Sequence, residues 1–314
     1  MLKQYSDADI QNALSITDVN KAIELAFLDY ENQDSRMPEK VYLELPDYEG
    51  DFRAMPAYSK RYNLASLKWV NSHPNNTKYP AVMAQMIVND PATGQAIALL
   101  DATVLTALRT GAAGAIAAKY LSKENASSVC FIGAGVQAYY QLDCLVDVRP
   151  IQTVYVHDIN ETQSQAFCDY ASKKGLSVYG SEHLETACLS ADIIVTTTGS
   201  KQPILKQAFI KEGVHINAIG ADAPGKQECE AALLNDVTVI VDDLHQATHS
   251  GEINVPITTG AFVKSDIYAS LGAIIKANNK GLQTKKTLFD STGLAIQDIA
   301  LAGLFLNNRC YEDT

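Results

Sequence analysis

The sequence predicts an α/β protein in two parts, one a doubly wound parallel sheet and the other an α+β unit built on an antiparallel sheet. Three observations lead there. Residues 41–100 break into short runs with strand character, separated by Pro, Gly, Asn and Asp. A long helical stretch over 103–121 follows. From Ser127 onward strands alternate with helical patterns, the rhythm of a parallel sheet covered by helices. With 314 residues, 47% of them hydrophobic, the chain is long and apolar enough to bury two cores.

The first helix contains Ala22, Ile23, Leu25, Ala26 and Phe27, with Thr17 in position to cap it. Strands are then predicted over 41–45, 52–58, 65–70, 81–88 and 96–100. The run Asn89-Asp90-Pro91-Ala92-Thr93-Gly94 between the last two is turn chemistry, so those strands form a hairpin in an antiparallel sheet. In the helix over 103–121, Gly111, Ala112, Ala113, Gly114 and Ala115 permit close approach of a neighbouring element. The parallel strands are predicted over 128–132, 153–157, 177–179, 193–197, 215–219 and 238–241. A last helix covers 294–306, and its pattern alone assigns it to neither part.

Lysine and arginine total 25 against 36 acidic residues, a net charge of −11 that repels phosphate backbones and anionic bilayers. Neither nucleic acid nor a membrane is an expected partner. The six cysteines (Cys130, Cys144, Cys168, Cys188, Cys229, Cys310) form no C-x-x-C pair, and no His/Cys cluster has zinc spacing, so reduced thiols and no metal are expected. The N-terminus lacks the apolar core of a signal peptide, and no apolar run reaches the ~18 residues that span a bilayer. The expected location is cytoplasmic.

Gly133-Ala134-Gly135-Val136-Gln137-Ala138 has the form G-x-G-x-x-A, directly after the strand Val129-Cys130-Phe131-Ile132 and opening a helix. The first glycine permits the tight turn; the second lets the backbone approach a pyrophosphate at the positive helix N-terminus. Asp158 follows the next strand, where an acid binds the adenosine ribose hydroxyls. Together they identify a Rossmann dinucleotide site. An acid at Asp158 repels a 2′-phosphate, and neither His157 nor Asn160 supplies the arginine that welcomes one, so NAD(H) is favoured while NADP(H) stays open.

Four further segments carry a resemblance: Leu67-Lys68-Trp69-Val70-Asn71-Ser72-His73-Pro74, Thr106-Ala107-Leu108-Arg109-Thr110-Gly111-Ala112-Ala113, Gly220-Ala221-Asp222-Ala223-Pro224-Gly225-Lys226-Gln227-Glu228, and Phe289-Asp290-Ser291-Thr292-Gly293-Leu294-Ala295-Ile296-Gln297-Asp298. In this order, over nearly the whole chain, they resemble the ornithine cyclodeaminase/mu-crystallin family. That family pairs a Rossmann domain with a sheet domain through which two subunits dimerise, and its final helix returns to the sheet domain. The resemblance thus implies a homodimer, with residues 1–121 and 286–314 as the substrate-binding and dimerisation domain and 122–285 as the Rossmann domain.

By the same resemblance Lys68 and Arg109 hold the substrate carboxylate, Arg109 also reaches the cofactor, and Asp222 is the acid/base beside the amino nitrogen. The chemistry is consistent: a carboxylate in a dry pocket needs charged partners, and arginine offers a matching planar fork. The nitrogen changes protonation as C–N becomes C=N, so it needs an ionisable neighbour. Lys68 and Asp222 form the catalytic set. Lys40 and Arg53 are further substrate-binding candidates, and Thr292 is a substrate contact. Thr110, Gly133, Gly135, Val136, Gln137, Thr197, Thr198, Ala218, Lys226 and Ser291 join Asp158 and Arg109 as cofactor neighbours. His73 reads as a turn residue, and Gly251-Glu252 as loop-shaping.

The expected reaction is NAD(P)H-dependent reduction of a cyclic imino acid, with Δ1-pyrroline-2-carboxylate to L-proline first. Ornithine cyclodeaminase is one alternative, because it oxidises ornithine, closes the ring, expels ammonia and reduces the same ring. Alanine dehydrogenase is another, supported by Lys40 where the family often has an arginine. The alternative of another class is a non-enzymatic ligand binder like mu-crystallin, which has no need of Asp222.

Overall fold

A computed structural model describes residues 2–181 and 183–312, with side chains described up to residue 309. The chain gathers into two compact units, the first running to Arg109 and resuming at Leu294, the second covering Thr110–Gly293.

The first unit holds β1 (Lys3–Tyr5), α1 (Asp7–Ala13), α2 (Ile16–Glu31), β2 (Ser35–Arg36), β3 (Val41–Leu45), β4 (Gly50–Ser59), β5 (Leu64–Ser72), β6 (Val82–Asn89), β7 (Ala96–Asp101), the start of α3 (Thr103–Leu121) and the last helix, α11 (Ala295–Glu312). The sheet order is β1-β7-β6-β5-β4-β2, with β3 also on β4. β4 to β7 form the expected antiparallel meander. β1 and β2 are too short to show a period in sequence, and β1 pairs with β7 in parallel. Ser15 caps α2 instead of Thr17, accepting the Asp18 N–H. Alternation along the strands sends Met55, Val70, Ala84, Met86, Val88 and Leu100 into the core. α11 packs on α2, β4 and β5, so the last helix does join the sheet unit. The opposite sheet face leaves Val41, Leu43, Leu67 and Trp69 exposed.

The second unit contains β8 (Ser128–Ile132), α4 (Val136–Val148), β9 (Thr153–His157), α5 (Glu161–Lys173), β10 (Ser177–Gly180), α6 (Leu184–Ser190), β11 (Ile193–Thr196), β12 (His215–Ala218), α7 (Ala231–Leu234), β13 (Thr238–Val241), α8 (Leu244–Ser250), α9 (Asn254–Thr258), β14 (Ile267–Ser270), α10 (Leu271–Lys276) and β15 (Thr287–Asp290). All eight strands run parallel, in the order β10-β9-β8-β11-β12-β15-β13-β14, a Rossmann-like sheet. Both faces are covered: Cys130 and Ile132 enter one core, Val129 and Phe131 the other.

Two strands of this unit, β14 and β15, lie outside the strands expected from sequence, and β15 changes the division of the chain. It inserts between β12 and β13, hydrogen-bonded on both sides, so the parallel-sheet unit extends to Gly293 and not to the expected 285. At the other boundary the later part of α3 belongs to this unit, because Gly111 lies so close to α4 that a Cβ there would come within 2.5 Å of the Tyr140 carbonyl oxygen. Cys130, Cys144, Cys168, Cys188 and Cys229 are free thiols, and the Cys310 side chain lies outside the described residues. No described helix is long and apolar enough to cross a membrane.

Candidate active site

In the parallel-sheet unit, β8 delivers the chain to Gly133, whose φ of 99° lies in the left-handed region and whose Cβ would come within 2.9 Å of Thr197 Oγ1. Only glycine fits there. Gly135 starts α4 in an extended conformation, and a Cβ on it would meet open space, so protein packing does not demand glycine and the helix N-terminus is open to a ligand. Val136 is exposed beside it. Half-buried Asp158 is fixed against this loop: Oδ2 accepts the Ala134 N–H at 2.6 Å and Oδ1 the Asn160 N–H at 2.7 Å. Each oxygen retains a lone pair for a ribose hydroxyl. Thr197 donates to the Gly133 carbonyl at 3.0 Å. Gln137 Oε1 and Ser291 Oγ are buried without a hydrogen-bond partner among the described residues. An open glycine, a helix N-terminus, two unsatisfied polar atoms and a strand-end acid fit a dinucleotide without a 2′-phosphate.

Behind these residues runs a series of buried acids. Glu228 accepts the hydroxyls of Thr196 and Thr198 at 2.6 and 2.8 Å and the N–H groups of Thr198 and Gly220 at 2.6 and 2.8 Å, joining the ends of β11 and β12. Glu252 accepts the N–H groups of Glu228 and Cys229, Asp290 those of Glu252 and Ile253, and Asp242 those of Thr292 and Gly293. Burial is the main force raising the pKa values of Glu228, Glu252 and Asp290, the last two well above the ordinary carboxylate range, while the N–H donors pull the other way.

This framework places several expected ligand contacts in supporting positions. Thr198 gives its hydroxyl to Glu228, and Thr292, expected against the substrate, gives its own to Asp242 at 3.0 Å. Ala218 has no exposed surface, and its carbonyl accepts the Ser291 N–H at 3.0 Å. Thr110 is largely buried, with its carbonyl taken by Gln141 Nε2 at 2.9 Å. Glu252, read from sequence as shaping a loop, is fully enclosed, and Gly251 abuts the Asp290 carboxylate with no room for a side chain.

Asp222 lies in the loop after β12, its side chain 35% exposed, and Lys226 donates to its Oδ1 at 2.7 Å. Lys226, expected beside the cofactor, is thus ion-paired to the expected acid/base. Asn254 holds their loop, accepting the Gly225 N–H at 3.1 Å and donating to the Lys226 carbonyl at 3.1 Å.

In the antiparallel-sheet unit, Lys68 sits on the inner face of β5, paired in register with Met55 and Met86. It has no exposed surface. An isolated ammonium there is prohibitive, and α11 supplies the answer: Lys68 Nζ donates to Asp298 Oδ1 at 2.7 Å and to Thr106 Oγ1 at 3.2 Å. Arg109, on α3, donates through Nε to the same Oδ1 at 3.1 Å. Burial pushes the Lys68 ammonium down to about 7; Asp298 pulls it up, and the charges of Arg109 and Lys40 push it down further. Lys40 is therefore within electrostatic reach of Lys68. Arg53, the other candidate, is buried in a bidentate pair with Asp51 and lies over the Tyr42 ring.

Asp298 closes the last of the four family-like segments but is not among the site residues expected from sequence. The signal was present: a lone acid in the apolar helical stretch from Leu294 to Phe305 and a lone lysine in an apolar strand each require a partner of opposite charge.

The family model for the ornithine cyclodeaminase/mu-crystallin family matches residues 1–311. Alanine dehydrogenase of Archaeoglobus fulgidus is 45% identical over 304 residues, 96% of this chain and 92% of that protein. Among solved structures, an archaeal alanine dehydrogenase dimer with bound NAD gives a TM-score of 0.94 at 43% identity, covering 100% of this chain and 97% of the other. The Δ1-pyrroline-2-carboxylate reductase of Thermococcus litoralis, solved with NADH and L-proline, gives 0.95 at 33% identity, covering 100% and 99%.

Proposed function

Because the chain belongs to the ornithine cyclodeaminase/mu-crystallin family, we propose that it is an NAD(H)-dependent oxidoreductase acting at the α-carbon of a small amino or imino acid. The observation that carries this reading is the pair of buried cations, Lys68 and Arg109, sharing one carboxylate oxygen of Asp298. Two positive groups against one negative group in a dry setting leave a net charge that a substrate α-carboxylate neutralises.

Bound NAD(H) supplies or takes the hydride. Lys68 and Arg109, with Lys40, bind and orient the carboxylate, which fixes the α-carbon for transfer. Asp222 stabilises positive charge on the substrate nitrogen and exchanges its proton, and Lys226 holds that carboxylate in place. Gly133, Gly135 and Asp158 seat the pyrophosphate and ribose.

Alanine dehydrogenation has the greater support as the specific reaction: the 45% identity to the archaeal alanine dehydrogenase and the lysine at position 40 both favour it. Reduction of Δ1-pyrroline-2-carboxylate, placed first on sequence, is supported by the Thermococcus likeness. Ammonia distinguishes them. NADH oxidation with pyruvate should require ammonium, whereas reduction of the cyclic imine should proceed without it, and NADPH should be the poorer donor in either case. Ornithine should release little ammonia under catalytic NAD; a healthy rate there would replace the reductase reading with the lyase. No turnover with any of these acids would overturn the enzymatic reading.

The exposed apolar residues Val41, Leu43, Leu67 and Trp69, on one face of the antiparallel sheet, support a homodimer formed through that face. Light scattering at micromolar concentration should return twice the 34.0 kDa chain mass, and a monomer would contradict the assembly.

A further inference from the structure

We propose that Asp298 is a positioning residue of the carboxylate clamp, holding Lys68 and Arg109 at the angle and charge in which they receive the substrate. This rests on the reading of Lys68 and Arg109 given above. Asp298 lies in the first turn of α11, enclosed, where the helix packs on β4 and β5. Its Oδ1 accepts from both cations at once, at 2.7 Å from Lys68 and 3.1 Å from Arg109. Oδ2 has no hydrogen-bond partner among the described residues, and neither has the neighbouring Gln297 Nε2. Gln297 Oε1 accepts the Leu294 N–H at 3.1 Å and lies 3.4 Å from Arg109 Nη1. Framework bonds therefore use one oxygen of the acid and leave Asp298 Oδ2 and Gln297 Nε2 without a partner among the described residues.

The charge count gives Asp298 its task. The groups bearing on Lys68 are Asp298 from α11, Arg109 from α3 and Lys40 from the segment before β3; Thr106 adds only a hydroxyl, and Arg53 on β4 is engaged by Asp51. Without Asp298 the enclosed ammonium would be left with the positive charges of Arg109 and Lys40 bearing on it, and its least costly response would be to lose its proton. A neutral Lys68 cannot neutralise a carboxylate. Asp298 itself repels the substrate carboxylate, so it acts through the two cations and not by contact. Lys68 titrates near neutrality even with the acid present. The clamp should therefore weaken as pH rises above about 7, and removing the acid should move that weakening to lower pH.

The test is Asp298→Asn, which keeps the shape and removes the charge. Protein carrying 13C-labelled lysine, with the Lys68 resonance assigned through Lys68→Arg, reports the Lys68 ionisation directly. The midpoint should fall by at least one pH unit in Asp298→Asn. The KM for the imino or amino acid should rise tenfold or more at pH 7.5, with the affinity for NADH, measured by its fluorescence, unchanged. An unmoved Lys68 midpoint overturns the proposal whatever the activity. If the amide variant does not fold, Asp298→Glu carries the test: the charge remains but is displaced by one methylene, so the midpoint should stay near the wild-type value while KM rises. An unchanged KM in that variant overturns the proposal. Lack of turnover by the wild-type protein is a separate result, and it removes the catalytic reading on which the proposal rests.

Discussion

The two units bury charge in opposite ways. In the antiparallel-sheet unit, Lys68 and Arg109 meet Asp298, opposite charges in unequal number, with Asp298 Oδ2 and Gln297 Nε2 left without hydrogen-bond partners among the described residues. In the parallel-sheet unit, Glu228, Glu252, Asp290 and Asp242 are acids in sequence, held by backbone N–H groups and threonine hydroxyls. Burial is the main cause that raises the Glu228, Glu252 and Asp290 carboxyls, with neighbouring acids adding to it for Glu252 and Asp290, and burial is also what lowers the Lys68 ammonium. In the proposed reading one cluster is unbalanced and takes an anion. The other is satisfied internally and fixes the strand ends that carry Thr197, Thr198 and Ser291.

If that distinction holds, the same kind of change should act on turnover in one cluster and on stability in the other. The largest effect is expected from Arg109→Ala, which takes from Asp298 and the incoming carboxylate the planar cation that both meet in the proposed reading. Losing one partner of a buried charge pair costs several kcal/mol, so kcat/KM should fall roughly a hundredfold or more with every amino or imino acid, while circular dichroism stays native. Near-normal efficiency in that variant would remove Arg109 from the site and dissolve the contrast between the clusters.

Legibility divides along the same line. The meander β4 to β7 and the strands β8 to β13 could be read because they alternate or form apolar runs between turn residues. β15 could not be read, since four residues before a glycine-containing turn show no period, and only its two neighbours in the sheet reveal it. Lys68 and Arg109 were recognisable as chemical groups, as was Asp158. What was missing was partnership: Asp298 lies more than two hundred residues from Lys68 in the chain, and the hydrogen bond between them exists only once α11 returns to β5. Glu252 does lie in the turn between α8 and α9, but an acid beside glycine in a polar segment gives no sign that it will be enclosed. Thr292 and Ala218, expected as ligand contacts from the same motifs, are enclosed in the structure, which the motifs did not show either. A motif shows which residues cluster, but not which of them face outward.

The smallest effect on catalysis, and the sharpest check on the second cluster, is expected from Glu252→Gln. The amide oxygen can still accept the N–H groups of Glu228 and Cys229, so the framework bonds survive and kcat/KM should stay within about tenfold of wild type. Stability should respond instead. Burial first, and the charge of Glu228 second, raise the Glu252 carboxyl well above its ordinary value. Between the unfolded value of about 4.3 and the raised folded value, the folded protein binds the proton that the unfolded chain has released. Stability is therefore complete at the acid end of that window and is lost as pH rises through it. Glutamine has no proton to lose, so Tm should decline less steeply from pH 5 to 8 in the variant than in the wild type, with the curves converging or crossing towards the alkaline end. Asp290 and Glu228 retain their own raised carboxyls, so the slope should shrink without vanishing. Parallel Tm curves would mean that Glu252 is ionised in both states and that the acid series carries its charge without sharing protons.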